Sequence, residues 1–241
     1  MHIAVVGAGI IGLMTALEFA EQGCEVTIFD QQQAGQAASW AGGGILSPMY
    51  PWRYAPEVNQ LAQYGKPLYQ TWNEKLAPIT GVDFQIHESG MLIFDEQDFQ
   101  SGLNYAVEQH EPMQTCELLN RAELEMVNPH LSTQFKQAIY FPQLSNIRNP
   151  QLLQSLIIYL KQHPLVNFFE NCPIEKLIIQ NQKVQGIETS NGQQFFADHV
   201  VLCSGAWSQQ WAGQLLRKIQ VHPVQGQMLL FKTPENWLPT M

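Results

Sequence analysis

The stretch that decides the fold is His2–Asp30, HIAVVGAGIIGLMTALEFAEQGCEVTIFD. It opens with a short apolar run, Ile3-Ala4-Val5-Val6, of the kind buried on both faces of a parallel sheet. Gly7, Gly9 and Gly12 follow in the spacing GxGxxG. A helical pattern comes next, with Ile10, Leu13, Leu17 and Ala20 on one face and Ala16 beside them. Gly23 is placed to end that helix in a left-handed conformation. A second strand, Val26–Phe29, runs into Asp30. Strand, glycines, helix, strand and terminal acid in this order predict a βαβ unit built around a dinucleotide. A lone GxGxxG would serve an ordinary turn as well.

Each position has a physical role in such a unit. Gly7 permits the tight turn, Gly9 lets backbone approach a pyrophosphate, and Gly12 lets helix and strand pack closely. Ala8, Ile10 and Ile11 flank them at the helix N-terminus, whose free N–H groups and partial positive charge suit phosphate. Asp30, eighteen positions after Gly12, can accept hydrogen bonds from ribose hydroxyls, with Gln31 beside it. An acid there accepts NAD or FAD and disfavours a 2′-phosphate.

The chain has 241 residues, of which 45% are apolar and 14% charged, with a net charge of −9. That is enough apolar material for one large domain or two small ones. The acidic balance argues against nucleic acid and against anionic lipid as partners. Cys24, Cys116, Cys172 and Cys203 are scattered without a CxxC, as expected of reduced thiols in a cytoplasmic protein. A strand starting at residue 2 leaves no room for a signal peptide, and no apolar run reaches the roughly 20 residues of a membrane span.

Beyond Asp30 the chain turns small and polar, then reaches Ser39-Trp40-Ala41-Gly42-Gly43-Gly44 and Ile45-Leu46. Three consecutive glycines are costly to order. They suit backbone passing close to a flat ligand, or else a flexible loop. Pro48–Tyr54, PMYPWRY, reads either as the border of a site or as a rigid packed loop. Arg53 reads as an anion contact or a solvated side chain. Leu61, Tyr64, Leu68, Tyr69, Trp72 and Leu76 lie at helical spacing and read as a core stripe. Phe84–His87 and Met91–Phe94 bracket Glu88-Ser89-Gly90 as a hairpin. A helix over 97–109, a strand near 116–119, a helix over 121–127 and a strand over 138–141 follow. Together they predict an antiparallel sheet separate from the parallel one. Asn149-Pro150 starts a helix running to about residue 162. Short strands over 165–203 end in Ser204-Gly205-Ala206-Trp207-Ser208, a small-residue turn opening a helix.

The fingerprint together with ASWAGGGILSPMYPWRY resembles the D-amino-acid oxidase superfamily of FAD-dependent oxidoreductases, in its glycine oxidase (ThiO) branch. The fold the resemblance implies is α/β: a Rossmann-like FAD-binding domain with an inserted antiparallel-sheet substrate domain. The corresponding expectation is an FAD-binding domain at 1–83 and 145–213 and a substrate-binding domain at 84–144 and 214–241. The resemblance implies FAD contacts from Gly7, Ala8, Gly9, Ile10, Ile11, Gly12, Asp30 and Gln31. It adds Ser39 to Gly44 along the pyrophosphate, ribityl chain and ring, with Ile45 near the isoalloxazine. Ile174 backbone would meet the adenine edge. Ser204, Gly205, Ala206 and Trp207 would close over the cofactor, which favours FAD over NAD. Val221–Phe231 resembles the family's strand returning to the substrate domain.

The activity so implied is oxidative deamination of glycine or another small amino acid. A hydride passes to the flavin, molecular oxygen reoxidises it with release of peroxide, and the imine serves thiamine biosynthesis. Homo-oligomers are common in the family. The family pattern continues past Met241, so the resemblance implies a C-terminally truncated sequence. The substrate-clamping arginine, an active-site tyrosine and a late glycine-rich segment would lie further on, and no catalytic residue is assigned within the chain. Two alternatives stand beside this reading: a D-amino-acid dehydrogenase using another acceptor, and a catalytically incomplete FAD-binding fragment. The histidines show no metal-ligand spacing, and neither a GxSxG elbow nor a Walker A motif occurs.

Overall fold

The computed structural model describes residues 1–46, 50–109, 116–215, 220–230 and 232. The chain forms two compact units, Met1–Gly42 with Lys75–Phe84 and Asn149–Met228, and Gly43–Glu74 with Gln85–Arg148 and Leu229–Met241.

The first unit is built on β1 (His2–Val6), α1 (Ile10–Glu21) and β2 (Glu25–Phe29). β1 pairs in parallel with β2 on one side, Ala4 opposite Thr27. Its other side pairs in parallel with β10 (His199–Leu202), Ala4 opposite Val200. β6 (Val166–Phe169) completes the order β10-β1-β2-β6. The apolar run of β1 is buried throughout because the strand is central and covered on both faces. Leu13, Ala16 and Leu17 of α1 are fully buried. Each leucine contributes on the order of 1.5–3 kcal/mol by leaving water. Gly23, at φ +80, ends the helix in the left-handed region as its sequence position requires. α5 (Asn149–Gln162) packs beside α1 and buries Leu152, Leu153, Leu156 and Leu160. A second, antiparallel sheet of β7 (Ile174–Gln180), β8 (Lys183–Thr189) and β9 (Gln194–Phe196) belongs to the same unit. Its Ile174, Leu177 and Ile187 join Ala4, Val6, Phe29 and Trp211 in one cluster.

The second unit carries an antiparallel sheet in the order β3-β5-β4, from β3 (Met91–Ile93), β4 (Glu117–Asn120) and β5 (Gln137–Phe141). Strand alternation gives it two buried faces. Met91, Ile93, Ile139 and Phe141 meet Phe99 of α3 (Glu96–Gln109). Leu92, Leu119 and Ala138 meet Leu124 of α4 (Arg121–Val127). α4 starts with a reciprocal capping box between Asn120 and Glu123.

Several expectations are corrected. The hairpin of 84–87 with 91–94 does not form. Gln85 sits at φ +54, which breaks an extended run. His87 instead exchanges backbone hydrogen bonds with Asn146, while β3 pairs with β5. The stripe on α2 (Pro56–Thr80) is only partly core: Leu76 is buried, but Leu61 and Tyr64 are 75% and 81% exposed. Helical spacing marks a face without saying what covers it. The segment 43–74 packs with the second unit rather than the first. The described part of Val221–Phe231 is exposed and outside any strand, since no described strand offers it a ladder.

The PMYPWRY stretch is a packed loop over its described residues, which begin at Tyr50; Pro48 and Met49 lie outside them. Trp52 donates from Nε1 to Asp98 Oδ1 at 2.9 Å and stacks on Phe141, with ring centroids 6.1 Å apart. Arg53 is paired with Asp98 and lies 4.3 Å from the Tyr50 ring centroid. Its guanidinium is thus engaged within the protein.

Candidate dinucleotide site

The C-terminal ends of β1, β2 and β10 meet the N-terminus of α1 in the first unit. There they line a cavity of about 450 Å³, within the size range of small-molecule sites. Its walls are the turn at Gly7, Gly9, Ile10 and Ile11, the end of β2 with Asp30 and Gln31, and the turn from Cys203 to Ser208. This is the crevice outside the carboxyl ends of parallel strands, where open α/β sheets bind ligands.

The glycines answer to geometry. Gly7 has φ +108, and a Cβ there would stand 2.4 Å from the Cys203 carbonyl oxygen. A Cβ on Gly12 would lie 1.8 Å from the Gly7 carbonyl oxygen, so α1 can approach β1 this closely only without a side chain. Gly9 caps α1 without a side-chain hydrogen bond, and the first turn carries no acid to neutralise the helix end. The positive end of α1 is therefore available to an anion. Ser39 is folded back against it, its Oγ accepting the Ile10 N–H at 2.9 Å.

Among the described residues Asp30 is the one charged side chain lining the cavity. Its Oδ2 accepts the Ala8 N–H at 2.7 Å and its Oδ1 the Gln32 N–H at 2.8 Å. Each carboxylate oxygen has a second lone-pair site, leaving room to accept a ligand hydroxyl. The same residue thus braces the glycine turn from the end of β2. Beneath it Phe29 stacks on Phe169, with centroids 5.2 Å apart, and gives the cavity an apolar floor.

Of the residues expected at a cofactor, Gly7, Gly9, Ile10, Ile11, Asp30, Gln31, Ser39, Ile174, Ser204, Gly205, Ala206 and Trp207 line this cavity together. Ala8 and Gly12 lie behind the turn and shape it. Trp40 is about half exposed, and Ala41 is exposed. A Cβ on Gly42 would meet Asn149 Nδ2 at 2.5 Å, so that glycine packs at the start of α5. Gly43, Gly44 and Ile45 belong to the second unit, where Gly44 O accepts the Ile147 N–H and Ile45 bridges to Asn146.

Sequence reading missed Cys172, Cys203, Ala37 and Ala38 as wall residues. Cys203 was findable as the first residue past an apolar strand, whereas Cys172 is brought in by its N–H bond to the Asp30 carbonyl at 2.7 Å. Burial pushes both thiols up, with a hydrogen bond to Thr15 partly offsetting it for Cys203. Both are therefore neutral thiols at pH 7 rather than thiolate nucleophiles. Arg53, Arg121 and Arg148 all hold protein partners, and Arg217 lies outside the described residues. Among the described residues no cluster of His, Cys, Asp or Glu could hold a metal ion. No described helix is long and apolar enough to cross a membrane.

A glycine turn that excludes side chains, a helix N-terminus with no acid in its first turn and a carboxylate at the end of β2 fit a dinucleotide such as FAD. Glycine oxidase of Pseudomonas putida is 40% identical over 100% of this chain and 65% of its own length. Glycine oxidase of Pseudomonas aeruginosa is 36% identical, again over 100% and 65%. The chain thus spans about 65% of the length of these curated relatives. The structure of glycine oxidase from Bacillus cereus superposes with a TM-score of 0.76 at 25% identity, over 88% of this chain and 57% of that one. The family described as DAO, FAD dependent oxidoreductase, matches residues 2–240, and with the glycine-lined cavity behind β1 already in place, the chain belongs to this family of FAD-dependent oxidoreductases.

Proposed function

We propose that the first unit is the FAD-binding domain, that the second is the substrate-binding domain, and that the protein oxidises glycine or another small amino acid. The observation that carries this reading is the cavity at the β1–α1 turn, with Asp30 at its β2 edge. When bound, FAD supplies the two-electron acceptor, and molecular oxygen takes those electrons on. The chain's own part is to hold it. The turn from Gly7 to Gly12 and the α1 N-terminus take the pyrophosphate, Asp30 and Gln31 the ribose, and Ile174 the adenine edge. Ser39 to Gly42 and Ser204 to Trp207 serve the flavin side. For glycine the overall change is glycine, oxygen and water to glyoxylate, ammonia and hydrogen peroxide. A bifunctional ThiO/ThiG protein of Nostoc, 28% identical over 97% of this chain, supports use of the imine in thiamine biosynthesis. The protein is read as cytoplasmic and able to form homo-oligomers.

The test is peroxide release from glycine, sarcosine and D-alanine by a protein of the relatives' length carrying these residues. Peroxide with at least one of them is expected. Turnover with an artificial acceptor but no peroxide would assign a dehydrogenase instead. Failure to take up flavin at all would refute the reading.

A further inference from the structure

The turn that closes the cavity holds a hydrogen bond that the dinucleotide fingerprint does not explain. Trp211 donates from its indole Nε1 to Ser204 Oγ at 3.0 Å. Trp211 is fully buried, in the cluster that also holds Val6, Phe29 and Ile174. An indole N–H can only donate, so Ser204 Oγ is obliged to accept. The hydroxyl proton of Ser204 must then point elsewhere, and among the described residues no protein group accepts it. Ser204 lines the cavity, and its backbone nitrogen lies 3.3 Å from where a Cβ on Gly7 would stand. Its backbone is held as well, because Ser204 O accepts the Trp207 N–H at 2.9 Å. The Gln214 side chain ties the following turn to β7 by accepting the Leu177 N–H at 2.7 Å.

We propose that Trp211 is a positioning residue that locks Ser204 as a hydrogen-bond donor into the cavity, toward an acceptor oxygen of the bound dinucleotide. The inference rests on reading the cavity as the FAD cradle. A free serine hydroxyl samples donor and acceptor orientations alike. The buried donor-only indole takes one of the two lone pairs and turns the hydroxyl proton away from itself, which leaves the O–H free for a ligand atom with lone pairs.

The test is flavin titration of the 241-residue chain and of S204A, S204T, W211F and the S204A/W211F double variant. It is paired with hydrogen exchange of the Trp211 indole N–H in the flavin-free wild type and S204A. S204A is expected to bind FAD about tenfold more weakly, and S204T within about threefold of wild type. W211F should fall between wild type and S204A, and the double variant should match S204A within about twofold, because both changes remove one interaction. Indole exchange should be faster in S204A. Losses that multiply in the double variant would show that Trp211 acts by packing alone and would overturn the proposal. S204A that binds FAD like wild type, or that leaves the indole exchange unchanged, would overturn it without any Trp211 variant. A wild-type chain that takes up no FAD would count against the cradle, whereas the indole exchange tests the Trp211–Ser204 bond with no flavin present.

Discussion

Removing the Asp30 carboxylate should damage the protein twice, once in stability and once in flavin affinity. In the folded chain it accepts the Ala8 N–H at 2.7 Å and the Gln32 N–H at 2.8 Å. Ala8 is 1% exposed, so Asp30→Ala strands its N–H away from water, while water can replace the partner of exposed Gln32. A stranded buried donor costs about 1–3 kcal/mol. At this chain length each kcal/mol moves the melting temperature by about 2–4 °C, so a loss of about 2 kcal/mol should lower it by roughly 4–8 °C. The second effect is on the ligand. A ribose hydroxyl bonded to an ionised acceptor is worth about 1.5–3 kcal/mol, or about 12- to 150-fold in FAD Kd. Asp30→Asn keeps one acceptor oxygen and turns an NH2 toward the other donor, so it should rank between wild type and Asp30→Ala on both measures. Thermal melts of the flavin-free chain and fluorescence titration with FAD separate the two effects. A lowered melting temperature with unchanged Kd would make Asp30 a brace for the turn only. If neither measure moved, the reasoning about this carboxylate would be refuted.

Gly12→Ala should destabilise the first unit by more than the ~1 kcal/mol that alanine gains over glycine in a helix, because its Cβ would stand 1.8 Å from the Gly7 carbonyl oxygen. A melting temperature at or above wild type would contradict that packing. Gly9→Val should abolish detectable FAD binding by placing a branched side chain where the dinucleotide passes; undiminished binding would sink the fingerprint reading. In the second unit, the Arg53 guanidinium, assisted by the Trp52 indole, holds the Asp98 carboxyl below its ordinary range. A depressed folded-state pKa contributes stability that is present above the unfolded value of about 3.9 and lost as pH falls through the folded one. Asp98→Asn should therefore flatten the acid limb of stability below about pH 4, and an unchanged acid titration would argue against the pair. The raised thiols of Cys172 and Cys203 should alkylate slowly at pH 7 and faster above pH 9, with FAD protecting them; equal labelling with and without FAD would place them outside the occupied cavity.

The order of elements in the first unit follows from residue pattern alone. The β1–α1–β2 unit, the glycine turn, the Asp30 position and the α5 start are local signals, each set by neighbours a few residues away. So is the small-residue turn after β10. What depended on distant residues was not recoverable in this way. Phe84–His87 looked like one arm of a hairpin because alternation names a strand but not its partner, and Asn146 decided the pairing. Leu61 and Tyr64 looked like core because helical spacing defines a face but not its cover.

The sequence by itself determined that a dinucleotide turn exists and which acid stands at its edge, because glycine conformation and strand–helix alternation are encoded locally. Only the tertiary structure decided which residues share the cavity. It brought in Cys172 across the β2–β6 edge, set Trp211 beneath Ser204, and paired Arg53 with Asp98. Those arrangements arise from packing between segments far apart in the chain, where burial and unmet hydrogen bonds select the partners that local pattern leaves open.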